Sequence, residues 1–137
     1  MNRPIKVMLI DDDPGIHESL RAVIEEAGYE FCGALGGREG LRLLDDERPD
    51  LLLLDVMMPG MNGQTFMQER KNDPRILNIP VVIITADDTT EQQVLTMELG
   101  ASDYIVKPFI PEIVTRRVQN VWDSTRRKKE VLQEHHK

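Results

Sequence analysis

Apolar and polar positions along this chain follow two alternating periods. Leu51 to Leu54 is an unbroken apolar run between Asp50 and Asp55, the pattern of a strand covered on both faces. Val81 to Ile84 reads the same way, Ile5 to Ile10 is a strand with Lys6 its one polar residue, and Tyr29 to Ala34 and Tyr104 to Val106 complete the strands. Between the first two, Ile16, Leu20, Val23, Ile24 and Ala27 recur at helical spacing. Asp13-Pro14 opens that helix as an N-cap with proline at the first helical position, and Gly28 stops it. A second helix is predicted over 38–46 around Leu41, Leu43 and Leu44. Gly40 inside it costs about 1 kcal/mol relative to alanine, which predicts a weak helix. A third runs from about Gly63 to Lys71, burying Phe66 and Met67 and ending at Asp73-Pro74. Thr89-x-x-Gln92 reads as a capping box for a fourth helix carrying Val94, Leu95, Met97 and Leu99, closed by Gly100. The last helix begins near Pro111.

Five strands alternating with five helices predict an α/β fold with a parallel sheet. The count suits the flavodoxin-like, doubly wound order 2-1-3-4-5, whose crevice lies at the carboxyl ends of the first and third strands. Those strands end in Asp11-Asp12-Asp13 and in Asp55. Parallel topology therefore gathers acids that are far apart in sequence.

Composition narrows the setting. The chain has 137 residues, 40% hydrophobic and 30% charged, which predicts one globular domain. No apolar run nears the ~20 residues that span a bilayer, and Met1-Asn2-Arg3-Pro4 is not a signal peptide, so a cytoplasmic protein away from membranes is expected. The single cysteine, Cys32, fits a reducing compartment and reads as a small buried side chain. Net charge is −7 and uneven: residues 123–137 hold five Lys/Arg against three Asp/Glu, leaving twelve basic against twenty-one acidic residues in 1–122. An acidic body argues against direct nucleic-acid binding and suits a divalent cation or a basic partner surface.

Asp11, Asp12, Asp55, Thr85 and Lys107 all fall at strand ends and should project from one edge of the sheet. Clustered carboxylates disfavour one another's ionisation unless a cation joins them. Mg²⁺ takes one or two carboxylates, waters and a phosphate, which matches Asp12 and Asp55 as direct ligands, Asp11 through water, and a backbone carbonyl just past Asp55. Phosphoryl transfer needs positioning and charge neutralisation; Lys107 supplies an ammonium, Thr85 a hydroxyl, and Asp55 a carboxylate nucleophile.

With these residues in view, the chain resembles the receiver domain of bacterial two-component response regulators. The similarity is carried by Leu9-Ile10-Asp11-Asp12-Asp13-Pro14, by Leu53 to Gly63 around Asp55, by Ile84-Thr85-Ala86 and by Gly100 to Phe109. It spans roughly residues 4–122, in order. The resemblance implies that Asp55 receives phosphate from the phosphohistidine of a sensor histidine kinase. It implies Mg²⁺ held by Asp11, Asp12, Asp55 and the carbonyl of Met57, a Thr85 that swings toward the phosphate, and a Tyr104 that turns inward as the second switch residue. Lys107 would pair with phosphoryl oxygens across a cis Lys107-Pro108 bond. The altered face would be the fourth helix, fifth strand and fifth helix, controlling an output domain or protein partner, with no turnover of a metabolite. The resemblance also implies that the positions two after Asp55 and two after Thr85, here Met57 and Asp87, influence the hydrolytic water; Asp87 could bind one and Met57 could not, which predicts an acyl phosphate lasting minutes or longer.

The rival reading is a phosphohydrolase of the haloacid dehalogenase type, with Asp11-x-Asp13, then Thr85 and Lys107. It needs acidic metal ligands after the lysine, where only Glu112, Asp123, Glu130 and Glu134 follow, and it leaves Asp55 without a role. A nucleotide-binding module is disfavoured because the first turn lacks a glycine-rich loop. His17 reads as a polar-face residue without chemistry, and His135-His136 lacks partners for a zinc site. Val114, Val118, Val121, Thr125, Lys128 and Leu132 step by four and three, a coiled-coil-like seam broken by polar residues. Residues 1–122 are thus read as the receiver, and 123–137 as a helical extension that could lead to an output domain or pair as a homodimer through the last helices.

Overall fold

Asp13 and Pro14 start the first helix as their chemistry requires. The Asp13 carboxylate accepts a hydrogen bond from Gly15 N–H at 2.9 Å, and Pro14 occupies the first turn of α1 (Pro14–Glu26). Gly28, at φ +93°, lets the chain leave the helix. The computed structural model describes residues 3–135, with side chains of the last helix described as far as Arg127. Its elements are β1 (Lys6–Ile10), α1, β2 (Glu30–Ala34), α2 (Gly37–Glu47), β3 (Leu51–Leu54), α3 (Gly63–Lys71), β4 (Val81–Thr85), α4 (Thr90–Glu98), β5 (Asp103–Val106) and α5 (Pro111–His135).

The sheet has the order β2-β1-β3-β4-β5 and every pairing is parallel, as the alternation predicts. Leu52 lies opposite Met8 on one side and Val81 on the other, so β3 is central. All four leucines of β3 are fully buried, because side chains alternate across the sheet and both faces are covered. Leu51 and Leu53 pack with Leu20 and Ile24 of α1 and with Val114 and Val118 of α5. Leu52 and Leu54 pack with Leu44 of α2 and with Phe66 and Met67 of α3. No helix among the described residues is long and apolar enough to cross a membrane.

α2 forms over eleven residues around the predicted leucines. Gly40 is there for contact: a Cβ at that position would fall 2.6 Å from Ile10 Cδ1, so the missing side chain lets the helix seat on β1. The capping box of α4 is half formed. Thr89 Oγ1 accepts from Gln92 N–H, but Thr89 N–H donates to Asp87, and Gln92 Oε1 is taken by Gln64. Val94, Leu95 and Met97 of α4 are exposed, whereas Thr96 is buried. Thr96 tolerates burial because its hydroxyl folds back onto the carbonyls of Gln92 and Gln93. Seam positions Lys128 and Leu132 and the pair His135-His136 lie outside the described side chains. α5 itself continues without a break from Pro111 to His135.

Candidate functional site

The sheet delivers the acids to one edge by extending its ladders one residue past two strand ends. Asp11 N–H bonds Ala34 O at 3.2 Å, and Asp55 N–H bonds Ile10 O at 2.9 Å. Asp11, Asp12 and Asp55 then converge, with one carboxylate oxygen from each lying within 4.8 Å of the others. Asp11 and Asp55 are buried and Asp12 is exposed.

Lys107 reaches this cluster from the turn after β5. Its Nζ donates to Asp11 Oδ2 at 2.6 Å and to Asp55 Oδ2 at 3.1 Å. The Lys107-Pro108 bond is cis. The remaining oxygens are also held: Asp13 N–H donates to Asp11 Oδ1 and Met57 N–H to Asp55 Oδ1, each at 2.9 Å. The Met57 side chain is exposed.

The charges do not balance locally. Burial pushes the Asp11 carboxyl above its ordinary value, against the hydrogen bonds from Lys107 and Asp13. Burial would lower the Lys107 ammonium, but the hydrogen bond to Asp11 and the charges of Asp55 and Asp11 outweigh it and hold it above its ordinary value. Three carboxylates against one ammonium leave an excess of negative charge in a set of hard oxygen donors. That donor chemistry fits Mg²⁺.

Thr85 and Tyr104 are both hydrogen-bonded to the loop that follows β4. Thr85 is wholly buried at the end of β4, and its Oγ1 accepts from Asp87 N–H at 3.4 Å. The Tyr104 hydroxyl donates to the Asp87 carbonyl at 2.5 Å. Burial, with the charges of Asp87, Asp88 and Asp55, pushes that hydroxyl up to about 12. Asp87 therefore joins the two switch candidates through its backbone. Its carboxylate accepts from both Thr89 N–H and Thr89 Oγ1, which holds it below the usual carboxylate range.

His17 makes a contact that its place on α1 does not announce: its Nε2 lies 2.7 Å from the backbone carbonyl of Asp11. Spacing could not show this, because the contact depends on how α1 returns over β1. The phosphohydrolase arrangement finds no support, since Asp13 caps α1 and Asp12 is the acid that joins Asp11.

Comparison with known proteins agrees with this geometry. Residues 7–119 match the family model of the response regulator receiver domain. The phosphate regulon transcriptional regulatory protein PhoB of Pseudomonas aeruginosa is 34% identical over 115 residues, covering 84% of this chain and 50% of that protein. The DNA-binding response regulator MtrA of Mycolicibacterium smegmatis is 37% identical over 114 residues, covering 83% and 49%. The chain thus spans about half the length of these regulators. Among solved structures, a putative response regulator from Chloroflexus aurantiacus superposes with a TM-score of 0.82 at 33% identity, covering 88% of this chain and 99% of the other. A CheY-like receiver domain protein from Methanospirillum hungatei gives 0.83 at 26% identity, covering 92% and 99%.

Proposed function

The chain belongs to the response regulator receiver domain family, and from that premise we propose that it is switched by phosphorylation of Asp55 by a sensor histidine kinase in the cytoplasm. Receiver domains of two-component response regulators are signalling modules, not metabolic enzymes, and the phosphohydrolase alternative finds no support. The observation that carries the reading is Lys107 Nζ bridging Asp11 and Asp55 at 2.6 and 3.1 Å inside a cluster of three acids.

In this proposal an Asp55 carboxylate oxygen bonds to phosphorus while the bond from phosphorus to the donor's imidazole nitrogen breaks, its electron pair leaving with the imidazole. Asp11, Asp12, Asp55 and the Met57 carbonyl would hold Mg²⁺, which supplies charge neutralisation to the phosphoryl oxygens. Lys107 moves its ammonium from the carboxylates to a phosphoryl oxygen. Thr85 exchanges its bond with the loop at Asp87 for a bond to the new group, and Tyr104, tied to the same loop, moves with it. The charge added at one strand end thereby biases α4, β5 and the start of α5. Residues 1–122 form the receiver. The segment 123–137, which takes in the last part of α5 (Pro111–His135), leads toward an output domain, a protein partner or a second copy of the chain.

Intact-mass analysis with acetyl phosphate tests this. Wild-type protein with Mg²⁺ gains one phosphoryl group, and chelation of the metal or Asp55→Asn abolishes the gain. Modification that persists in Asp55→Asn and disappears in Asp11→Asn would overturn the reading.

A further inference from the structure

Asp11 is held at every polar atom. Its N–H donates to Ala34 O at 3.2 Å, its Oδ1 accepts from Asp13 N–H at 2.9 Å and its Oδ2 accepts from Lys107 at 2.6 Å. The fourth contact, from the carbonyl to His17 Nε2 at 2.7 Å, comes from outside the sheet and outside the acidic cluster. A carbonyl can only accept, so the imidazole carries its proton on Nε2 here. The carbonyl needs this donor, because it lies past the end of β1 in a residue with no solvent exposure.

The ring has a built seat. It meets Phe31 edge-on, with centroids 6.3 Å apart and planes at 86°. Arg21 lies over the Phe31 ring at 4.8 Å, fixing that aromatic in turn. Gly33 supplies the space: a Cβ there would fall 2.4 Å from His17 Nδ1 and 2.8 Å from Cε1. A glycine in an edge strand loses packing, and here the lost side chain is replaced by the imidazole.

We propose that His17 is a positioning residue for the cation site. The carbonyl it holds belongs to the peptide that links Asp11 to Asp12, so a donor on α1 fixes the two acids relative to each other. Without it, the carbonyl of that peptide loses its donor, the bond from Asp13 N–H to Asp11 Oδ1 is left to set the angle between the two acids, and their oxygens are less firmly preset for a cation. This rests on the reading of Asp11, Asp12 and Asp55 as the Mg²⁺ ligands.

The test is Mg²⁺ titration of the full chain without phosphodonor, monitored by ¹⁵N–¹H spectra and calorimetry. Loss of a group that orients a ligand weakens metal affinity by about tenfold or more, and His17→Ala should show this. His17→Gln, which can donate from a side-chain amide, should recover most of it. Gly33→Ala should act like His17→Ala by displacing the ring, and should add nothing once His17 is alanine. In wild-type protein the His17 imidazole nitrogen signals should shift as Mg²⁺ binds. Asp12→Asn separates the two levels. If it leaves Mg²⁺ affinity unchanged, the cation site itself is misplaced. If Asp12→Asn abolishes binding while His17→Ala and Gly33→Ala both keep wild-type affinity, the positioning role of His17 is overturned.

Discussion

At Asp11, burial and charge pull against each other. Burial raises its carboxyl above the ordinary value of 3.8, and the hydrogen bonds from Lys107 and Asp13 only partly offset that. A group with a raised folded value favours the folded state fully below the unfolded value, and the advantage is lost as pH rises through the folded value. Metal-free wild-type protein should therefore gain stability relative to Asp11→Asn as pH falls from neutrality toward 3.8; urea titrations at stepped pH check this, and a difference that stays flat would contradict it. Asp12 gives a cleaner case. It is exposed and adds a third negative charge within 4.8 Å of two others. Asp12→Asn should raise metal-free stability by at most about 1 kcal/mol, the ceiling for an exposed charge interaction, while weakening stabilisation by Mg²⁺; a lower Tm in chelator would count against the repulsion. The roles of Asp11, Asp12, Asp55 and Lys107 could be sought in the sequence because strand ends announce themselves by a change from apolar to polar. His17 could not, because its partner is a backbone carbonyl and its seat is an absent side chain at Gly33.

Among the elements, α2 carries its glycine for packing. Gly40 costs helix propensity, but it sits against Ile10 with no room for a Cβ. Gly40→Ala would gain about 1 kcal/mol in helix propensity and lose about 1–3 kcal/mol to overpacking. A net loss of roughly 1 kcal/mol in chemical denaturation is expected, and a more stable variant would mean that Ile10 relaxes freely. The loop between β4 and α4 carries a different prediction. Thr85 and Tyr104 meet through Asp87, so Thr85→Ala should still accept phosphate at Asp55 but fail to pass the change to Tyr104. Spectra of a beryllofluoride complex read this directly: Tyr104 signals should move in wild type and stay in place in Thr85→Ala. The exposed apolar side chains of α4 escape the periodicity argument for a related reason. Spacing alone cannot show that Thr96 faces inward with its hydroxyl satisfied by the helix backbone.

For the whole molecule, strand order and element count were legible because fully buried parallel strands leave uninterrupted apolar runs and each crossover leaves one helical period. The stretch beyond residue 122 was less legible, since Thr125 and Lys128 interrupt the apolar seam without ending the helix, and α5 runs on to His135. The lifetime of the modified state is a property of the assembled site. With the Asp87 carboxylate engaged by Thr89 and a methionine at position 57, the acyl phosphate should persist for minutes without added phosphatase. Loss within seconds in a time course of intact mass would show that water is activated from another position. The central claim is that Asp55 is the phosphoryl acceptor, and borohydride reduction with peptide mapping addresses it most directly. After treatment with Mg²⁺ and acetyl phosphate, homoserine is expected at position 55 and at no other aspartate. Homoserine at position 11 or 12, or an unaltered residue 55 in protein that has gained phosphate, would contradict it.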